Sequence, residues 1–287
     1  MSSLKQRSVL VVSLVVVALV LASAAPAEAQ SKYGPLFDKF NFKLAGSWLA
    51  MSTEIRLDSE THGVGTVLNF EDDLDLGSDK TVPTLAFEWQ MGRKHKLGVR
   101  WQDIDRASTS QALTEIQWGD ETIPIDANIN LGYDIAQTFI DYTYYPWVKD
   151  RWAAGFGIGL RVMDFQVTLA WNEEGGLVEE GSSDVKATGP LPYLYFEYRR
   201  LFSDNWRFIT GYGWLYIEIG DVKGGQWIGR VGIEYLLGDR WAFGGTLNAA
   251  KIDVDWKGID NPDGDSLLSA GFDMDITDVT IFARIRF

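Results

Sequence analysis

Apolar and polar positions alternate along most of this chain. In segment 279–287 one face carries Val279, Ile281, Ala283, Ile285 and Phe287, and the other carries Thr280, Phe282, Arg284 and Arg286. A period of two is the signature of a strand. Arginines on one side and only apolar groups on the other place that strand between a polar interior and a greasy exterior. The pattern recurs. Leu85, Phe87 and Trp89 oppose Glu88; Leu97, Val99 and Trp101 oppose Arg100; Ile140, Tyr142 and Tyr144 oppose Asp141. Phe156, Ile158 and Leu160 oppose Arg161; Leu194, Phe196 and Tyr198 oppose Glu197 and Arg199; Val231, Ile233 and Tyr235 oppose Arg230 and Glu234. Most of these segments exceed the roughly 5–6 residues of an average strand in a soluble protein.

Ten strands are predicted, near 41–57, 81–92, 95–107, 134–147, 151–168, 189–202, 205–220, 226–237, 241–256 and 271–287; eight and twelve also fit. Segments 114–119 and 121–130 read as extensions of two strands joined near Gly119-Asp120. Segment 65–70 reads as an extension of the second strand or a small hairpin. Connections at 92–95, 148–150, 202–205 and 237–240 are short, and those at the other rim are longer and acidic, apart from a link at Lys223-Gly224-Gly225. Trp147, Trp152, Trp206 and Trp241 flank the last three of these short turns, where indole rings suit a membrane–water boundary. The expected fold is all-β: a transmembrane antiparallel up-and-down β-barrel, with short turns at one rim and long loops at the other.

The N-terminus supplies a route to a membrane. Lys5 and Arg7 precede an apolar run over 9–22, then Ala27-Glu28-Ala29, a small-x-small cleavage pattern. Residues 1–29 are expected to be a cleaved secretory signal peptide, and 30–287 the barrel domain. The run is short of the about 20 apolar residues of a helical span, so insertion after export uses strands.

Together, Ala27-Glu28-Ala29, the alternating last strand and the final Phe287 resemble Gram-negative outer-membrane β-barrel proteins, particularly the small OmpA-, OmpX- and OmpW-like barrels. The run Phe70-Glu71-Asp72-Asp73-Leu74-Asp75-Leu76, followed by Thr81-Val82-Pro83, resembles uncharacterised barrels of this kind. The resemblance implies residence in the outer membrane among lipid and lipopolysaccharide. It also implies recognition of Phe287, Ile285 and Ile281 by the barrel assembly machinery, which pairs with an exposed edge strand. No second, peptidoglycan-binding domain of the full-length OmpA kind is expected.

Composition narrows the chemistry. The 287 residues carry a net charge of -14 and no Cys. Disulfide frameworks, thiolate metal sites and Cys nucleophiles are excluded, and so acidic a chain is a poor partner for nucleic acid. No cofactor is expected. The inward set is Lys43, Glu88, Arg100, Asp141, Arg161, Glu197, Arg199, Arg230, Glu234, Arg284 and Arg286. Buried charges need partners, so an ion-pair network with water is expected to span the interior. Barrels near eight strands are filled by side chains, which favours a plug over a conduit.

Asp58, Glu60, Glu71, Asp72, Asp73, Asp75 and Asp79 crowd the first long connection, and Glu173, Glu174, Glu179, Glu180 and Asp184 another. A solvated, repulsive surface is the first reading, and binding of divalent cations the second. The 260–265 segment superficially resembles a calcium loop, but its twelfth position is Gly271 in place of Glu. Only His62 and His95 can serve as imidazoles. His95 is expected in a short turn, far from the outer rim. The function expected is non-enzymatic, structural or a narrow pore for small solutes. Alternatives are a hydrolase or lipid-modifying enzyme at the outer rim using His62, a surface adhesion or ligand-binding barrel, and a soluble periplasmic β protein that would extract without detergent.

Overall fold

The computed structural model describes residues 34–61, 63–172, 181–260 and 267–287. The signal-peptide segment 1–29, His62, Glu173, Glu174, Glu179, Glu180 and the 261–265 stretch lie outside the described residues.

Ten long strands form the wall: β1 (Phe40–Ser59), β3 (Asp79–Met91), β4 (His95–Gln111), β7 (Asn128–Val148), β8 (Trp152–Asn172), β9 (Gly181–Leu201), β10 (Trp206–Ile219), β11 (Val222–Leu237), β12 (Trp241–Asp260) and β13 (Leu267–Arg286). Each pairs antiparallel with its neighbour, and β13 pairs back onto β1 from Asn41↔Arg286 to Ser59↔Leu268. The sheet is therefore closed into a ring, with one partial seam where β9 and β10 pair only over Leu194–Leu201 and Arg207–Trp214. Three short strands complete the set. β2 (Val67–Asn69) lies on the upper part of β1, above the end of β3, while β5 (Ile116–Trp118) and β6 (Glu121–Ile123) form a separate hairpin.

Several local expectations change. Segments 116–118 and 121–123 pair with each other and fold inward, because Ile116, Trp118 and Ile123 find an apolar interior to bury in. Lys223–Gly225 belongs to β11, and the β10–β11 connection is Gly220-Asp221; Gly220 takes a positive φ of 59° there, as a tight turn requires. His95 begins β4, beneath the rings of Tyr142 and Tyr144.

The largest difference concerns polarity. Toward the short turns the sheet is apolar outside: Leu44, Trp48, Ile140, Tyr142, Phe156, Ile158, Leu194, Trp214, Phe243, Leu247, Val279 and Ile281 are exposed. Toward the long loops it is inverted. Inward Leu49, Met51, Ile55 and Leu57 of β1 are buried, while outward Ser52 and Glu54 meet water. The same exchange occurs on β8, where outward Phe156 and Ile158 give way to inward Met163, Val167, Leu169 and Trp171. A wall touching hydrocarbon must be apolar outside, and one rising into water must be apolar inside. Each long strand satisfies both by shifting its apolar parity by one residue partway along.

The upper interior is consequently an ordinary hydrophobic core. Phe70, Leu74 and Leu76 of the first connection fold into it and meet Trp118, Tyr133 and Ile104. Glu71, expected on a solvated loop, is carried in with them and pairs with Arg106 at 2.7 Å. Phe70→Ala should destabilise this head by about 3–5 kcal/mol. Chemical unfolding in detergent, monitored by Trp fluorescence, will read that loss. Val279→Ala on the lipid-facing side, at 46% exposure, should cost far less.

Candidate functional site

The lower interior is the chemically distinctive part of the molecule. Antiparallel alternation aims one side chain in two inward, and the register brings those from ten strands to a common axis. At and below mid-height, Lys43, Lys96, Arg100, Arg161, Arg199, Arg207, Arg230, Arg284 and Arg286 share the interior with Asp38, Glu88, Asp141, Glu197, Glu234 and Asp278.

Two carboxylates organise most of it. Glu197 is fully buried and takes ion pairs from Lys96 at 2.7 Å, Arg199 at 2.6 Å and Arg230 at 2.9 Å; the hydroxyls of Tyr145 and Tyr195 donate to it as well. Asp38 is equally buried and is paired with Arg207 at 2.8 Å, Arg286 at 2.6 Å and Arg284 at 3.5 Å. Glu88 and Glu234 link the two centres. Arg199 reaches Glu88 at 3.3 Å, and Arg284 reaches Glu88 at 3.8 Å and Glu234 at 3.4 Å, while Arg207 also pairs with Glu234. The network thus joins Glu88, Glu197, Arg199, Arg230, Glu234, Arg284 and Arg286 from the inward set. Lys43, Arg100 and Arg161 stand apart, with no ion pair among the described residues. The Lys43 amine sits 4.9 Å from the Phe282 ring centre, and the Arg100 and Arg161 guanidiniums lie 3.8 Å and 4.9 Å from that of Phe139. Asp141 accepts from the Tyr193 hydroxyl.

Four members are absent from the inward set expected from the sequence: Asp38, Lys96, Arg207 and Asp278, the last of which extends the inward row of Thr280, Arg284 and Arg286. Asp38 precedes the first strand, so no period marks it. The segment 34–38 turns up into the short-turn mouth. There Leu36 and Phe37 pack with Tyr145, Leu201 and Leu236, and the carbonyls of Pro35 and Leu36 accept from Arg207. Arg207 lies one residue inside a strand whose inner face is otherwise Ile209, Gly211 and Gly213, a weak signal. Lys96 beside His95 reads as turn charge, yet it begins the inward row of β4.

Above the charges runs a collar of mostly uncharged polar groups. Asn248 bonds Asp278, which accepts from Thr280; Thr280 meets Ser47 at 2.8 Å, and Ser47 meets Thr84 at 3.0 Å. Gln102 donates to Thr84 at 2.8 Å and receives from Gln137 at 3.2 Å. Arg161 donates to Gln137 and Gln226, and Gln226 donates to the Leu191 carbonyl at 2.9 Å. This chain crosses nine of the ten wall strands and separates the ion pairs from the apolar core. Cavities within the polar zone are small, about 20 Å³ beside Lys43, Glu88 and Arg284 and about 30 Å³ beside Arg100 and Arg230.

Trp147, Trp206 and Trp241 are exposed at the short-turn rim with Trp152 beside them; Ile281 faces outward, and Ile285 is buried among its neighbours. Phe287 exchanges backbone hydrogen bonds with Phe40, closing the ring at its last residue. Among the described residues no group of three or more His, Asp or Glu side chains is arranged to hold a metal ion.

The outer membrane protease OmpT from Escherichia coli matches with a TM-score of 0.56, covering 86% of this chain and 97% of that one at 11% identity. The fold is that of an outer-membrane β-barrel. The translocator domain of the autotransporter NalP from Neisseria meningitidis matches at 0.45, covering 86% and 89% at 9% identity. OprG from Pseudomonas aeruginosa matches at 0.38, covering 88% and 99% at 12% identity. No family model matches the chain, and no curated protein sequence does.

Two predictions follow from these charges. Asp38→Asn leaves three buried guanidiniums short of a carboxylate and should cost about 3–5 kcal/mol. It should also free segment 34–38 for limited proteolysis from the short-turn end. Outside, just above the apolar belt, Asp105 faces Asp134 across the β4–β7 ladder, with Asp103 alongside. Partial burial, then the neighbouring carboxylates, raise the pKa of Asp103 and Asp134. A raised carboxyl pKa favours the folded state in acid, and that contribution is lost as pH rises through the folded value. Asp134→Asn should therefore stabilise the barrel at pH 7, with the gain fading toward about pH 4, as melting curves across pH will show.

Proposed function

We propose that this protein is an integral outer-membrane barrel, closed to solutes, that carries a rigid, acidic β-head above the membrane in a structural or surface-binding role and is not an enzyme. One observation carries the reading: the interior is filled along its whole height. Segment 34–38 occupies one mouth, ion pairs and the hydrogen-bonded collar fill the middle, and an apolar core with two infolded connections fills the other. Ions would have to cross that core, where a bare charge is strongly disfavoured. The signal-peptide pattern and the exposed apolar belt support export and outer-membrane residence, with the long loops outward. The belt meets lipid. The carboxylates above it, among them Glu54, Asp103, Asp253 and Asp275, suit contact with lipopolysaccharide through shared divalent cations.

Planar-bilayer recording tests this directly. The wild-type barrel should show no conductance above baseline, and stable single-channel openings would refute the closed reading. Lipid- or peptide-cleaving activity that is lost in His62→Ala would favour the rim-enzyme alternative.

A second reading rests on a break in the wall. β9 and β10 pair only from Leu201↔Arg207 to Leu194↔Trp214, so 189–193 and 215–219 run unpaired beside each other. Pro190 and Pro192, which lack N–H donors, stand at that edge. Behind it lies an apolar cavity of about 30 Å³ lined by Phe165, Ala187, Gly189, Leu191, Trp256 and Phe272 among others. Exposed Leu194, Trp214 and Tyr216 flank the base of the split. This arrangement suits sideways passage of a small apolar molecule. Pro190→Val with Pro192→Val restores two donors and should reduce uptake of an apolar dye into proteoliposomes; unchanged uptake would remove this route.

A further inference from the structure

The lower interior is not electrically balanced. Its nine cationic side chains exceed its six carboxylates by three, and Lys43, Arg100 and Arg161 are the three without an ion pair among the described residues. Buried, uncompensated charge is among the costliest features a fold can hold. The surrounding hydrocarbon makes it worse, because no bulk water lies behind the wall to screen it.

The imbalance meets open space and unused donors at one place. A cavity of about 30 Å³ is lined by Arg100, Asp141, Tyr193, Tyr195, Arg230 and Asn248, together with apolar and glycine backbone groups. Arg100 stacks on Phe139 and makes no side-chain hydrogen bond among the described residues. The Arg230 Nε is buried without a hydrogen-bond partner, although its terminal nitrogen reaches Glu197 and Tyr195. Asn248, on the same lining, already donates its amide nitrogen to Asp278 and Thr246, so the unused donors belong to the two arginines. The one carboxylate on the wall, Asp141, already accepts from Tyr193. Arg230 also borders the adjoining cavity, where Lys43 and Arg284 face Glu88 and Glu234, and Arg284 Nε and Nη1 lack hydrogen-bond partners.

We propose that this cavity holds one small monovalent anion of chloride's size and charge, held chiefly by Arg100 and Arg230. Unused N–H donors, excess cationic charge and room for a water-sized group coincide there. The bound anion is a structural counter-ion, and its presence does not depend on the surface role proposed above.

The experiment uses the full mature barrel in detergent and has two arms. Crystals grown in bromide should show an anomalous peak between Arg100 and Arg230. In solution, the melting temperature should be higher in chloride than in gluconate at equal ionic strength, because a ligand that binds only the folded state raises its stability. Arg100→Gln removes a charge without orphaning a carboxylate, so it should fold and lose the chloride-dependent shift. Bromide found at the protein surface alone means an adventitious ion only and overturns the proposal. So does a melting temperature indifferent to the anion, or a chloride shift that survives in Arg100→Gln.

Discussion

The boundary between hydrocarbon and water is the constraint on which this structure depends. A strand that crosses it must change which of its faces is apolar, because the exterior changes solvent while the interior does not. The chain answers with a one-residue shift of apolar parity, repeated from strand to strand. On β13 it falls between Ile276, which points in, and Val279, which points out; on β7 it falls between Ile135 and Ile140. Below that level the barrel is an inside-out object with a polar core. Above it the longer strands, with β2 in place of β3 beside β1, make a soluble-type β-structure with a conventional core. The collar from Asn248 to Gln226 lies at the junction, where neither ion pairs nor aliphatic packing suits the surroundings.

The closed ring, its strand count and its short-turn rim were legible because they depend on local alternation and turn chemistry. Phe156, Ile158 and Leu160 opposite Gly159 and Arg161 state their own geometry. The inverted upper half was also written in the sequence, as Met163, Val167, Leu169 and Trp171 on the opposite parity, yet a single polar-inside rule applied along each strand conceals it. Phe70, Leu74 and Leu76 were hidden by the acidic residues between them. Those acids project to water, apart from Glu71, while the apolar three turn inward, and no short-range period announces such an infolded connection.

The interior charges divide in the same way. Residues on regular strands, such as Glu88, Glu197 and Arg230, declared their direction by parity. Asp38 did not, because its position depends on a segment that folds back into a mouth built by residues far along the chain. Its partners Arg207, Arg284 and Arg286 lie 169 to 248 residues away for the hydrogen-bonded pairs. Contacts of that separation follow from closure of the ring, and closure is a global property.

Asp38 has a topological consequence. It lies immediately before the first wall strand, while Arg284 and Arg286 lie on the last, so its ion pairs straddle the seam where the cylinder shuts. Until that seam zips, those guanidiniums have no Asp38 to meet. The latch engages only when the two ends of the polypeptide arrive together, so the same contact that plugs the mouth also certifies that the ring is complete.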